Sequence, residues 1–209
     1  MVPRKHRRVL KDTMMIRSLL LSAAFLAAPL AAQQQSESYR FLEAVRGAKG
    51  NEVTQMLDRP GSSVVNTRSA TTGEGALHIV VKRGDTTYLR YLLQKGADPN
   101  LRDGSGHTPM LLAVQGGHAD MIPILAAARA NPNLGASSGV TPLILATQAR
   151  SIDMVRLLLA AKADPDQTDN RAGQSARDYA ANDPRNGPIA RLFEATPKRT
   201  RAAVSGPKM

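Results

Sequence analysis

Gly106-His107-Thr108-Pro109-Met110-Leu111-Leu112-Ala113, GHTPMLLA, is matched 33 residues later by GVTPLILA at Gly139 to Ala146. The same register finds GEGALHIV at Gly73 to Val80 and GQSARDYA at Gly173 to Ala180, so the leading glycines stand 33, 33 and 34 residues apart. A second signature keeps the same step: GADPN at 96–100, RANPN at 129–133 and KADPD at 162–166. Two different signatures at one period mark a chain built by repeating a single supersecondary unit.

Between the signatures lie apolar residues at helical spacing, such as Tyr88, Leu89, Tyr91, Leu92 and Leu93 in one unit and Met154, Val155, Leu157, Leu158 and Leu159 in another. Each unit reads turn, short helix, turn, longer helix, loop. Helices of roughly 8 to 10 residues fall below the 12 to 15 at which an isolated helix becomes even marginal in water, so they must stack to survive. Thr108 and Thr141 are placed to cap the first helices, with Pro109 and Pro142 at the first helical position, where a missing N–H costs nothing. Gly84 and Gly117 offer a left-handed stop, and Asp98-Pro99, Asn131-Pro132 and Asp164-Pro165 predict rigid turns into the next hairpin.

These residues resemble the ankyrin repeat, whose T-P-L-H-x-A core is matched by Thr108-Pro109-Met110 with Ala113, by Thr141-Pro142-Leu143 with Ala146, and by Leu77-His78. The resemblance implies an all-α solenoid of antiparallel helix pairs with short hairpin loops over residues 38–195. About three well-marked repeats stand between degenerate capping repeats at Tyr39 to Leu57 and Ser175 to Phe193. In the last unit Arg177 replaces the usual core leucine, which predicts a face meeting water. His78 occupies the family's histidine position and is expected to bond neighbouring backbone, and His118, in the turn between helices, is expected to act similarly. Three departures carry local expectations. Arg150 stands where other units have Gly84 and Gly117. Pro123 predicts a bent or late-starting second helix. The loop Gln167 to Gly173 is one residue longer than its counterparts and predicts an irregular hairpin.

Composition agrees with a helical repeat. Of 209 residues 42% are apolar but only 3% aromatic, with no Trp, so the core must be built from Leu, Ile, Val, Ala and Met. The formal charge of +11 is carried almost entirely by the ends. Residues 1–32 hold six Lys/Arg against Asp12, residues 196–209 hold four against none, and the stretch 33–195 is near balance. No basic stripe interleaved with aromatics appears, so nucleic acid is not an expected partner. The absence of cysteine excludes disulfides, thiol catalysis and Cys-ligated zinc.

Ser18 to Ala32, SLLLSAAFLAAPLAA, is an uncharged run of 15 residues that follows Arg17 and ends in small residues before Gln33, Gln34 and Gln35. That order reads as a secretory signal over 1–32 with a basic leader, cleaved after Ala32 and followed by a linker at 33–37. A 15-residue helix spans about 22 Å, short of a roughly 30 Å hydrocarbon core. Met14 or Met15 would begin a signal of ordinary proportions. The expected location is periplasmic or secreted, with an uncleaved inner-membrane anchor as the alternative. The tail 196–209 is basic and low in large apolar residues and is expected to be disordered, touching membrane only if it binds anionic lipid.

No chemistry emerges from the motifs. His6, His78, His107 and His118 lack metal-site spacing, no G-x-S-x-G elbow occurs, and Asp164, Asp166 and Asp169 lack the ladder of a calcium loop. No cofactor, no metal and no catalytic residue is expected, and the chain reads as a non-enzymatic binding module.

The resemblance implies a partner surface on the concave side, formed by hairpin tips and first helices. By register it comprises Thr72, Glu74, Lys82, Arg83 and Arg102 in one unit, Ser105, His107 and Gln115 in the next, and Ser138, Val140 and Gln148 in the third. Lys82, Arg83 and Arg102 form a positive corner that suits a partner with an acidic end. The chain is expected to be a monomer that binds a protein. A membrane-tethered spacer, and a ligand-binding protein or hydrolase with an unrecognised site, are the competing readings.

Overall fold

The computed structural model describes residues 37–196. The expected export signal with its Met14 or Met15 start, most of the linker and nearly all of the basic tail lie outside the described residues. Within them the chain forms ten α-helices and two short 3-10 turns. The helices are α1 (37–46), α2 (Gly50–Leu57), α3 (Ala76–Arg83), α4 (Thr86–Gln94), α5 (Pro109–Gln115), α6 (Met121–Ala127), α7 (Pro142–Gln148), α8 (Ile152–Ala160), α9 (Ala176–Asn182) and α10 (Gly187–Glu194). The 3-10 turns cover Val64–Asn66 and Pro184–Asn186. No strand occurs among the described residues, and one isolated bridge joins Thr168 to Ser175.

Helices pair within units, α3 with α4, α5 with α6, α7 with α8 and α9 with α10, and first helices pack in series from α3 through α5 and α7 to α9. The second row runs through α6, α8 and α10. One continuous core results, from Phe41 and Val45 through Leu77, Leu92, Met110, Leu125, Ile144 and Leu158 to Ile189 and Phe193. Ala113, Ala146 and Ala180 are fully buried in it, small enough to let neighbouring helices close up. Aliphatic side chains dominate, as the aromatic-poor composition requires.

The helix ends are local chemistry repeated. Thr108 and Thr141 accept the backbone N–H of Leu111 and Ile144 at 3.3 and 3.2 Å, with proline following each. First helices stop at left-handed residues: Ala48 (φ 52°), Gly84 (73°), Gly117 (78°) and Arg150 (56°). Second helices stop the same way at Gly96 (85°), Arg129 (66°) and Lys162 (69°). Each such residue is followed by an N–H that bonds five residues back, as Asp85 to Val80, Ala97 to Leu92 and Ala163 to Leu158. Arg150 therefore does adopt the glycine-favoured conformation expected at its position.

Pro123 lies in the first turn of a late-starting helix. α6 begins at Met121, four residues after Gly117, whereas α4 begins two residues after Gly84 and α8 two after Arg150. A tight preceding turn, with Met121 N–H to His118 and Ile122 N–H to Ala119, brings the chain to a point where proline removes no helical bond. The last hairpin carries its extra residue as an inward-turned carboxylate. Asp169 is buried, and its Oδ1 accepts the N–H groups of Arg171, Ala172 and Gly173 at 3.0, 2.7 and 3.1 Å. Its Oδ2 accepts the Tyr179 hydroxyl at 2.7 Å. The first hairpin is also one residue longer than the middle pair. Ser69 N–H bonds the carbonyl of Glu74, where Asp103 bonds His107 and Ala136 bonds Val140.

Arg177 does not face water as expected. Its guanidinium pairs with Asp166 at 2.7 and 3.3 Å and donates to the carbonyls of Phe193 and Thr196, tying the end of α10 to the preceding loop. Among the described residues no further unit follows to bury a leucine at this position, and a long cation reaching the orphan carbonyls of α10 satisfies them instead.

Successive units are also joined by asparagine. Asn66, Asn100 and Asn133 each accept, through Oδ1, the N–H of Asp98, Asn131 and Asp164 at 2.7 Å. Each donates through Nδ2 to the carbonyl of the left-handed residue of the next unit, Gly96, Arg129 and Lys162, at 3.1, 3.3 and 3.5 Å. The turns expected from Asp98-Pro99, Asn131-Pro132 and Asp164-Pro165 are present as side-chain bonds two residues on.

Candidate functional site

Hairpin tips are linked in series by backbone bonds. The carbonyl of Thr72 accepts from Gly104 N–H at 2.9 Å, that of Ser105 from Ser137 at 3.2 Å, and that of Ser138 from Asn170 at 2.9 Å. Gly73, Gly106, Gly139 and Gly173 all have positive φ between 64° and 80°, the conformation that turns the chain at each tip. A side chain at Gly73 or Gly139 would also strike the neighbouring hairpin, 2.6 Å from Gly104 N and 2.7 Å from Asn170 N. Gly73, Gly106 and Gly139 thus serve both the turn and the stacking distance, and Gly173 the turn alone.

His78 links this row to the helices. It is fully buried; its Nδ1 accepts the Gly75 N–H at 3.0 Å, so Nε2 carries the proton and donates to the carbonyl of His107 at 3.0 Å. Burial pushes its pKa below the ordinary histidine value, opposed by the bond to His107 and by nearby Asp103 and Glu74. A charged imidazole would aim a second N–H at the Gly75 donor, which the site cannot accept. His118 plays a different part from the one expected. Its ring fills the space over Gly84 and Gly116, where an added Cβ would approach it to 2.9 and 2.7 Å.

Most of the residues predicted for the partner surface lie along this row, and several are engaged within it. Thr72 donates to Glu74 Oε2 at 3.1 Å, and Glu74 Oε1 accepts from Lys82 Nζ. That bond holds the Glu74 carboxyl below its usual range. Arg83 donates to the carbonyl of Val45 at 2.8 Å, pairs with Asp85 at 3.1 Å and lies over the Tyr88 ring at 5.4 Å. Arg102 donates to the carbonyl of Gly135 in the next hairpin. The positive corner expected from the linear charge pattern is a set of cations answered by the fold's own carboxylates and carbonyls.

His107 and Asp103 close a single hairpin. Asp103 Oδ1 accepts the N–H groups of Ser105 and His107 at 2.9 and 2.8 Å, and His107 Nδ1 lies 3.1 Å from Oδ2. Burial alone would raise the Asp103 pKa, but the His107 backbone and ring bonds hold it below the ordinary value. Val140 is half-buried and packs on the core. Gln148 reaches the Tyr179 hydroxyl, whose pKa is raised chiefly by its bond to Asp169. Ser105 and Gln115 are exposed, Ser138 is half-buried, and all three lie on the same row. The asparagine joints and the tip-to-tip bonds were not anticipated. The recurring final Asn of GADPN and RANPN was the available signal for the former.

Among the described residues no group of His, Asp or Glu is arranged to hold a metal, and no helix is long and apolar enough to cross a membrane.

Comparison with known proteins bears on the same residues. A family model for ankyrin repeats, in three copies, matches residues 41–136 and 77–169, together more than half of the chain. A potassium channel of Arabidopsis thaliana, AKT1, is 46% identical over 55 residues, 26% of this chain and 6% of the channel. Ankyrin repeat domain-containing protein 63 of Mus musculus is 35% identical over 86 residues, 39% of this chain and 22% of that protein. A putative ankyrin repeat protein of Acanthamoeba polyphaga mimivirus, L271, is 30% identical over 97 residues, 45% of this chain and 13% of its own length. The chain therefore spans less than a quarter of each of these relatives.

Proposed function

The chain belongs to the ankyrin-repeat family and is a protein–protein interaction module; from that premise we propose that it is exported, non-enzymatic, and holds one partner protein along the row of hairpin tips and first helices. One observation carries the reading. The tip-to-tip bonds fix Ser105, Ser137 and Ser138 on adjacent hairpins while Gln115 and Gln148 stand exposed at the ends of α5 and α7. A surface held in place before binding loses little entropy on association. The engaged cations shape the row, and the contacts offered to a partner are polar and mostly neutral.

Export is supported by the charged, apolar, small-residue order of residues 1–32. N-terminal sequencing of the protein recovered from a cell-envelope fraction tests it, with Gln33 as the expected first residue. Recovery of the intact leader in the membrane pellet would favour the tethered spacer. For binding, affinity capture from that fraction compares wild type with Gln115→Arg/Gln148→Arg, two surface changes the fold should tolerate. Partners lost from the double variant support the reading, and an unchanged set of partners removes it.

A further inference from the structure

Among the described residues the hairpin ladder has an open end. The N–H groups of Gly104, Ser137 and Asn170 each bond the preceding hairpin. In the first hairpin, which runs from Ser69 to Glu74, Ala70 and Thr71 are both exposed, and their N–H groups find no partner among the described residues. No hairpin precedes α1 among the described residues, and a cleft of about 180 Å3 opens between α1 and this edge. Tyr39, Leu42, Arg46, Arg68, Ala70 and Thr71 line it.

We propose that this cleft binds an extended acidic segment of another protein. The segment adds its backbone to the Thr71 edge, seats one apolar side chain on Tyr39 and Leu42, and places a neighbouring aspartate or glutamate side chain between Arg46 and Arg68. The proposal rests on the reading of the chain as a partner-binding module and adds a contact at one end of the row.

Three observations converge on that occupant. Tyr39 is 65% exposed and is the large apolar side chain left most open among the described residues, of a type that dominates binding energy at interfaces. Two arginines flank the cleft. Arg68 spends only its Nε, on the Gly73 carbonyl at 3.1 Å, and forms no ion pair among the described residues. Arg46 pairs with exposed Glu43 at 2.6 Å through one terminal nitrogen, while the other is 3.8 Å from Glu74. The volume is well under the roughly 300 Å3 at which small-molecule pockets begin, which suits one side chain of a longer segment. A free backbone N–H beside an exposed aromatic ring lets a bound segment draw affinity from its backbone and specificity from its side chains.

Selection of random dodecapeptides displayed on phage, against the purified full chain, tests this. Enriched peptides are synthesised with blocked termini and titrated by fluorescence anisotropy. The expected peptides carry an apolar residue within two positions of Asp or Glu. Tyr39→Ser and Arg68→Gln, checked for unchanged circular dichroism, each weaken them by about tenfold or more, the loss of one charge-assisted bond or one aromatic anchor. Arg90→Gln/Arg156→Gln, on the exposed side of the second helices α4 and α8, leaves their affinity unchanged. Peptides insensitive to Tyr39→Ser and Arg68→Gln but lost in Gln115→Arg/Gln148→Arg overturn this proposal and leave the broader reading standing. Peptides without a carboxylate, including any that reproduce residues 33–36 or a hairpin of this chain, assign the cleft to the chain itself and also overturn it. So does a selection that enriches nothing.

Discussion

The carboxamide of Asn100 grips the backbone of the following unit, accepting the Asn131 N–H at 2.7 Å while donating to the Arg129 carbonyl at 3.3 Å. Asn66 and Asn133 make the same joint, so neighbouring units are fastened by a polar clamp as well as by apolar packing. Asn100→Ala leaves that N–H and carbonyl to water and should cost about 1–2 kcal/mol. Asn100→Asp keeps the acceptor but loses the donor, and should fall between the two. Urea unfolding followed by circular dichroism at 222 nm checks the order, and an alanine variant as stable as wild type would mean the joint is ornamental.

Lys162 holds a left-handed backbone at φ 69° in the position Gly96 fills two units earlier. A side chain there costs roughly 1–2 kcal/mol, against about 0.5–1 kcal/mol of extra chain entropy for glycine. Lys162→Gly should therefore stabilise the protein by about 0.5–1 kcal/mol. Arg150→Gly should gain less, because the Arg150 side chain bonds Asp183 at 3.2 Å and the variant gives that up. Thermal melts of both variants measure the difference.

Arg177 ties Asp166 to the carbonyls of Phe193 and Thr196 at the end of the stack. Arg177→Leu leaves a half-buried carboxylate and two carbonyls without their donor, and should destabilise by about 2–3 kcal/mol. Each unit leans only on its neighbours, so the loss should appear first as fast amide exchange across Gly187–Glu194. Asp166→Asn added to Arg177→Leu should recover part of the stability, which a double-mutant cycle reads directly.

How much of this was legible follows from how far apart the partners lie. The caps at Thr108 and Thr141, the proline at the first helical position and the late start of α6 all depend on residues within one turn, and the sequence alone suffices to read them. The pairing of Lys82 with Glu74 joins two units of local structure eight residues apart, and Arg102 finds its carbonyl 33 residues on, so a linear charge count mistook both for free positive surface. Arg177 was read as a leucine lost to solvent because its carboxylate lies in the preceding loop. The two changes are complementary: the Asn that ends GADPN and RANPN becomes Asp166 in KADPD, in the unit where Arg177 appears. The row of hairpin tips and first helices followed from register, while which of its side chains are engaged could be read only from coordinates.

His78 gives stability a pH dependence of known sign. Its folded-state pKa lies below the unfolded value of about 6.5, chiefly through burial, so the unfolded chain binds the extra proton first. Stability from this group is complete above about pH 6.5 and is lost as pH falls below it. Asp169, whose pKa is lowered first by the Tyr179 hydroxyl and then by backbone N–H groups, adds a second loss below the unfolded carboxylate value of about 3.9. Unfolding free energies at stepped pH should decline in two stages, and Asp169→Asn should flatten the lower one. NMR titration of the His78 imidazole should show the neutral Nε2–H form persisting below pH 6.5.

The central claim is that a partner is held on the row of hairpin tips and first helices. A photo-reactive amino acid placed singly at Gln115, Gln148, Arg90 or Arg156 tests it in the cell that makes the protein, since all four positions are exposed and the latter pair lies on the second helices α4 and α8. Irradiation should cross-link one and the same protein from Gln115 and Gln148 and nothing from Arg90 or Arg156. Cross-links confined to Arg90 and Arg156 would contradict the account.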